Sequence, residues 1–148
     1  MSPRGVPLTQ ALARELSSEE GVVVLCGRYE GLDQRVIDHH QLMEVSVGDY
    51  ILSGGELAAQ IMLDSIVRLL PGVMGKEIGH LEESFETGLL EHDHYTQPRV
   101  WNEMAAPEIL ASGHHEKIAA WREDQAKELT KERRPDIWKR FLAKNVTK

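Results

Sequence analysis

Two glycine-punctuated loops hold the side chains best suited to chemistry in this 148-residue chain. One is Leu25-Cys26-Gly27-Arg28-Tyr29-Glu30-Gly31-Leu32-Asp33, and the other is Gly48-Asp49-Tyr50-Ile51-Leu52-Ser53-Gly54-Gly55-Glu56. Glycine has no Cβ, so the backbone can take φ > 0 at Gly54 and Gly55 and a ligand can press against bare amide and carbonyl groups. Arg28, Tyr29, Glu30 and Tyr50 add charge, aromatic surface and hydrogen bonds. Arg68 stands four residues after Asp64 in apolar company, where a buried guanidinium must meet an anion or a carbonyl. Adjacent Glu82 and Glu83 offer a general base, although such a pair equally suits a solvated surface. His92-Asp93-His94 invites a metal reading. On an extended segment His92 and His94 project one way and Asp93 the other, so at most two ligands converge, and no metal site is expected there. The same holds for His39-His40 and His114-His115.

The elements that must place these residues are legible from periodicity. Leu8, Leu12 and Leu16 make a one-faced helix, and the apolar run 22–25 reads as a parallel strand buried on both faces. A helical turn follows over 33–38, and 42–47 resumes a strand pattern. Ser53 reads as an N-cap, with Glu56 at the positive end of a helix over 57–70 whose apolar residues cover more than one stripe. Loops at the carboxyl ends of such strands are where open α/β sheets bind ligands, so the two glycine loops are expected to share one cleft. Residues 76–85 lack any period and read as a mobile loop. The stretch 88–98 reads as a short edge strand ending at Pro98. After a hinge near 105–114, one helix runs from His115 to Leu129 and a last helix opens with Pro135 at its first position.

Strand-helix alternation points to an α/β fold of one core with a small helical addition. The single cysteine, Cys26, excludes an internal disulfide, fits a reducing cytoplasm and reads as a small buried residue at a strand end. With no run of 18 apolar residues and no leader pattern, neither a membrane span nor secretion is expected. The common phosphate, dinucleotide, zinc-protease and serine-hydrolase motifs are absent. The formal net charge is −7, but its distribution is uneven. Residues 1–104 hold 7 Lys and Arg against 17 Asp and Glu, whereas 105–148 hold 10 against 7. A basic end on an acidic body suits contact with a polyanion.

The two glycine loops, with Arg68, Pro71-Gly72-Val73, Glu83-Ser84-Phe85, His94-Tyr95-Thr96, Ser112-Gly113-His114-His115 and Arg133-Arg134-Pro135, closely resemble the bacterial tRNA (guanine-N(1)-)-methyltransferase family. The likeness covers nearly all of the chain. It implies an α/β fold with a trefoil-knotted parallel sheet of the SPOUT class over 1–104, followed by a small all-α, tRNA-binding domain over 105–148. It also implies S-adenosylmethionine as cofactor, tRNA as partner, a cytoplasmic homodimer with shared sites, and a loop over 76–82 that closes on the target. The cofactor would be held by Ser2, Pro3 and Gly5, by Gly27 and Tyr29, and by Val47, Gly48, Tyr50, Leu52, Gly54 and Gly55. Substrate-binding roles fall to Glu30, Glu91, His94, Tyr95, Arg133 and Arg134. Glu83 would be the base that removes the proton of guanine nitrogen 1, and Arg68 the cation that faces the charge growing on the exocyclic oxygen.

The chain departs from the family pattern in three places. Glutamate stands at Glu83 and at Glu91 where the family has aspartate, and Ala58 replaces a proline. The N-terminal strands and a glycine-rich motif that precede the Ser-Pro loop in the family lie outside this sequence, so the sheet is expected to be N-terminally truncated and the 148 residues alone to turn over little. The alternative function is a non-catalytic remnant that dimerises or binds tRNA.

Overall fold

A computed structural model describes residues 1–74 and 83–146, which fall in two compact units, Met1–Glu77 and Ile78–Lys148. The first opens with β1 (Val6–Pro7) and α1 (Gln10–Ser17), continues through α2 (Gln34–His39) and β2 (Val45–Ser46), and ends with α3 (Glu56–Val67). Thr9 caps α1, its hydroxyl accepting from Leu12 N at 3.2 Å, and Asp33 caps α2 by accepting from Arg35 N at 2.8 Å. β1 and β2 pair in parallel, Val6 opposite Val45 and Pro7 opposite Ser46. Gly5 lets the strands approach, since a Cβ there would lie 2.3 Å from the carbonyl carbon of Glu44. Ala13, Val45, Met62 and Ile66 form the core, and Leu8, Leu12, Leu16, Val22 and Val24 pack against it.

The mixed α/β character holds, with less strand than the sequence suggests. Residues 22–25 join no sheet: Val22 and Val24 pack on the core, but Val23 is 91% exposed and Leu25 44% exposed. A strand buried on both faces needs ladder partners on both edges, and among the described residues none flanks this run. Likewise the strand expected over 42–47 shortens to β2. Cys26, expected to be buried, is exposed. The cap of α3 is Gly55, with no side-chain bond, rather than Ser53. Nor is α3 enclosed among the described residues: it buries Ala58, Ala59, Met62 and Ile66 while Leu57, Ile61, Leu63 and Val67 stay exposed.

The second unit begins, among described residues, with a turn at Glu83. No edge strand forms over 88–98; instead β3 (Val100–Trp101) and β4 (Met104–Ala105) make a hairpin whose two turn residues, Asn102 and Glu103, have φ of 49° and 65°. Positive φ at both positions matches strand twist in a two-residue loop. A 3-10 turn over Glu108–Ala111 leads to α4 (His115–Arg133), one turn longer than expected, and α5 (Pro135–Val146). Pro135 separates them, since the residue before a proline is disfavoured in helical conformation and Arg134 sits at φ −134°, ψ 68°. Trp138 stacks on Phe141 at 5.5 Å, and Leu89, Thr130 and Ile137 are buried. No helix among the described residues is long and apolar enough to cross a membrane.

Candidate active site

In the first unit the two glycine loops meet. Gly55 N donates to Gly27 O at 3.0 Å, and a Cβ on Gly55 would come within 2.9 Å of Cys26 Cα and 3.1 Å of Gly27 N. Gly55 has φ −78°, so the position demands glycine through crowding and not through a left-handed backbone. Arg28 Nε donates to Glu56 Oε1 at 2.7 Å, tying the first loop to the start of α3. This contact holds the Glu56 carboxyl below its ordinary pKa. Tyr50 donates its hydroxyl to Val47 O at 3.1 Å, and Ser46, almost fully buried, both donates to Gly48 O and accepts from Gly48 N. The Ser2 hydroxyl and then Arg4 hold the Glu44 carboxyl below its ordinary range.

These loops border a cleft of about 590 Å³. Ser2, Pro3, Gly27, Tyr29, Val47 and Gly48 line it, as do Tyr50, Leu52, Gly54 and Gly55. Glu30 also lines it, whereas Gly5 is spent on the β1–β2 approach. Tyr29, at φ 56°, stands fully exposed at the rim. A non-glycine residue in that conformation is uncommon enough to suggest a functional constraint. The wall also includes the apolar residues Ile37, Leu42, Ala58 and Met62. Arg68 caps the far end of α3, half-buried, and is not among the lining residues.

The other predicted residues belong to the second unit. Residues 75–82, and with them Glu82 and the expected closing loop, lie outside the described residues. Glu83, Ser84 and Phe85 do not form a loose loop: Phe85 N donates to Leu89 O at 2.7 Å and Glu91 N to Ser84 Oγ at 3.0 Å. His94 Nε2 lies 3.4 Å from Glu91 Oε1, and the His92 and His94 rings are 4.8 Å apart. Trp121, which the periodicity places on one face of the helix over 115–129, joins them, 6.5 Å from His92 and 6.4 Å from Tyr95. Its place on that face was legible, but its partners were not, because the approach of 92–95 to α4 is a tertiary contact. Arg134 is already engaged, giving Nε and Nη2 to the two Asp136 oxygens at 2.9 Å each, while Arg133 is exposed.

Glycine loops that bare their backbone over a partly apolar cleft at a parallel strand pair define a ligand-binding α/β unit, here joined in sequence to a helical one. The family model described as tRNA (Guanine-1)-methyltransferase TrmD matches residues 1–140, and the chain belongs to that family. A tRNA (guanine-N(1)-)-methyltransferase of Chelativorans sp. (strain BNC1) is 62% identical over 138 residues, which is 93% of this chain and 59% of the relative. The Rhodospirillum rubrum protein of the same name is 54% identical over 143 residues, 97% of this chain and 60% of its own length. That of Mesorhizobium japonicum is 61% identical over 137 residues, 93% of this chain and 59% of the relative. The chain thus spans about 60% of the length of the curated relatives it matches.

Proposed function

We propose that this chain carries the cofactor-binding and catalytic portion of a tRNA (guanine-N(1)-)-methyltransferase acting on the guanosine 3′ of the anticodon, with 1–104 binding S-adenosylmethionine and 105–148 binding tRNA in the cytoplasm. The observation that carries it is the cleft between the two locked glycine loops. Its chemistry fits the cofactor: bare backbone at Gly27, Gly54 and Gly55 suits polar groups, while Val47, Leu52 and Met62 suit a nucleobase face. When bound, S-adenosylmethionine supplies an electrophilic methyl group. The Gly55 N–H to Gly27 O bond and the interloop crowding support a knotted arrangement of these loops.

The residues then divide the work. Guanine nitrogen 1 bears a proton at neutral pH, so it becomes nucleophilic only when a base takes that proton, and Glu83 is that base. Arg68 opposes the negative charge that grows on the exocyclic oxygen. A positioned base contributes about 10²–10⁴-fold, and charge stabilisation a similar factor. The target base must first leave its stack, and Tyr95, His94, Arg133 and Arg134 take part in holding the RNA, with Glu30 and Glu91 orienting the guanine. The exposed Leu57, Ile61, Leu63 and Val67 on α3 support burial of that face in a homodimer with sites shared between chains.

Titration calorimetry with S-adenosylmethionine, methyl transfer to unmodified tRNA, and sedimentation of the purified chain test this reading. Saturable cofactor binding, slow transfer to nitrogen 1 and a dimer are expected. No cofactor binding would overturn it, binding without transfer would leave a tRNA- or cofactor-binding module, and a monomer would remove the shared site.

A further inference from the structure

The most deeply buried side chain among the described residues is polar: Thr130, 0% exposed, near the end of α4. Its hydroxyl donates to Ala126 O at 2.6 Å and accepts from Leu90 N at 2.8 Å, so both of its capacities are used. A helix gains little from it, since threonine is a modest helix former and the bond back to residue i−4 competes with the helical ladder. What the hydroxyl adds is a hold on a backbone N–H forty residues earlier in the chain.

That hold reaches Glu83 through a short closed loop. Next to Leu90, Glu91 N donates to Ser84 Oγ at 3.0 Å; Phe85 N donates to Leu89 O at 2.7 Å, and Glu86 N to Glu83 O at 3.3 Å. Leu89, 5% exposed, buries the end of the loop. Thr130 therefore fixes the end of the loop to α4, and Ser84 fixes its beginning to its end. We infer that Thr130, acting through the Ser84 clasp, is a positioning residue for the Glu83 carboxylate. The inference rests on reading Glu83 as the base. A reacting group displaced by about 1 Å loses on the order of 10²-fold in rate, so a clasp of this kind has a function beyond stability.

The test compares Thr130→Val, which keeps the shape and loses both bonds, with Thr130→Ser, which keeps both. Amide exchange in the purified chain is read residue by residue, together with the kinetics of methyl transfer to unmodified tRNA. In Thr130→Val, exchange at Phe85, Leu90 and Glu91 is expected to quicken about tenfold or more while Ile137 and Trp138 keep their protection. kcat is expected to fall about tenfold with KM for tRNA unchanged, and Thr130→Ser to restore both. Unchanged exchange at 83–91, protection lost equally through α4 and α5, or a loosened loop with unaltered kcat would each overturn the inference. Should Thr130→Val not fold, Ser84→Ala removes the clasp from the other side, and the same local loss at Glu91 is expected. An unsubstituted chain that transfers no methyl group would count against the proposed function, and exchange would still decide the clasp.

Discussion

Glu83→Gln preserves the side chain's shape and removes its ability to take a proton, which makes it the sharpest test at the level of one residue. We expect turnover to fall by about 10²–10⁴ with cofactor affinity nearly unchanged. Glu83→Asp should be milder, because the role needs a carboxylate in reach and aspartate supplies one a methylene shorter. Full activity in Glu83→Gln, measured by single-turnover methyl transfer, would remove it from the mechanism. Gly55 is the complementary case, where geometry and not acidity is at stake. The Cβ of Gly55→Ala would meet backbone atoms of Cys26 and Gly27, which cannot swing aside as a side chain can. Overpacking of this kind costs on the order of 1–3 kcal/mol, and here it parts the two loops that border the cleft. The expected outcome is a loss of S-adenosylmethionine affinity of about tenfold or more by calorimetry, with the melting temperature of the helical unit unmoved.

At the level of elements, the sequence announced what local chemistry decides and hid what pairing decides. The leucine spacing of α1, the Asp33 cap of α2, the Pro135 start of α5 and the two glycine loops were legible because each is written within a few neighbouring residues. The run 22–25 was not, since a β-branched apolar stretch states a propensity while a ladder needs partners elsewhere in the chain. The hairpin over 100–105 was missed because Asn102-Glu103 lacks the glycine that usually marks a two-residue turn. Thr130 was invisible, since a threonine inside a helix looks like any other until Leu90 is placed against it. The start of α5 also carries a pH dependence. Arg134 pairs with Asp136 and lowers its pKa from 3.8 to about 2. A carboxylate depressed in the folded state stabilises above its unfolded pKa, and the gain is lost as pH falls through the folded value. The difference in melting temperature between the unsubstituted chain and Asp136→Asn should therefore be full at pH 6 and vanish towards pH 2. A difference undiminished at pH 2 would show that shape, and not charge, sets the role of Asp136.

For the whole molecule, the formal charge of −7 is compatible with the proposed tRNA substrate because of where the charges lie. Residues 105–148 carry 10 Lys and Arg against 7 Asp and Glu, most of them on α4 and α5. Long-range repulsion between the acidic remainder and tRNA is screened within about 10 Å at moderate salt, so local basic contacts can prevail. Each phosphate contact releases condensed counterions, and log affinity should fall linearly with log salt. The two arginines of the Arg133-Arg134 pair are not equivalent in that account. Asp136 already neutralises Arg134 through two hydrogen bonds and also receives Arg140, whereas Arg133 is paired with no carboxylate among the described residues. Arg133→Ala should reduce the salt slope of tRNA binding by about one, and Arg134→Ala by less, because its charge is spent within the protein. Asp136→Asn should move the slope the other way by freeing both Arg134 and Arg140. Binding isotherms at a series of salt concentrations distinguish the three variants, and equal slopes in all of them would make this basic end a solvated face with no part in holding RNA.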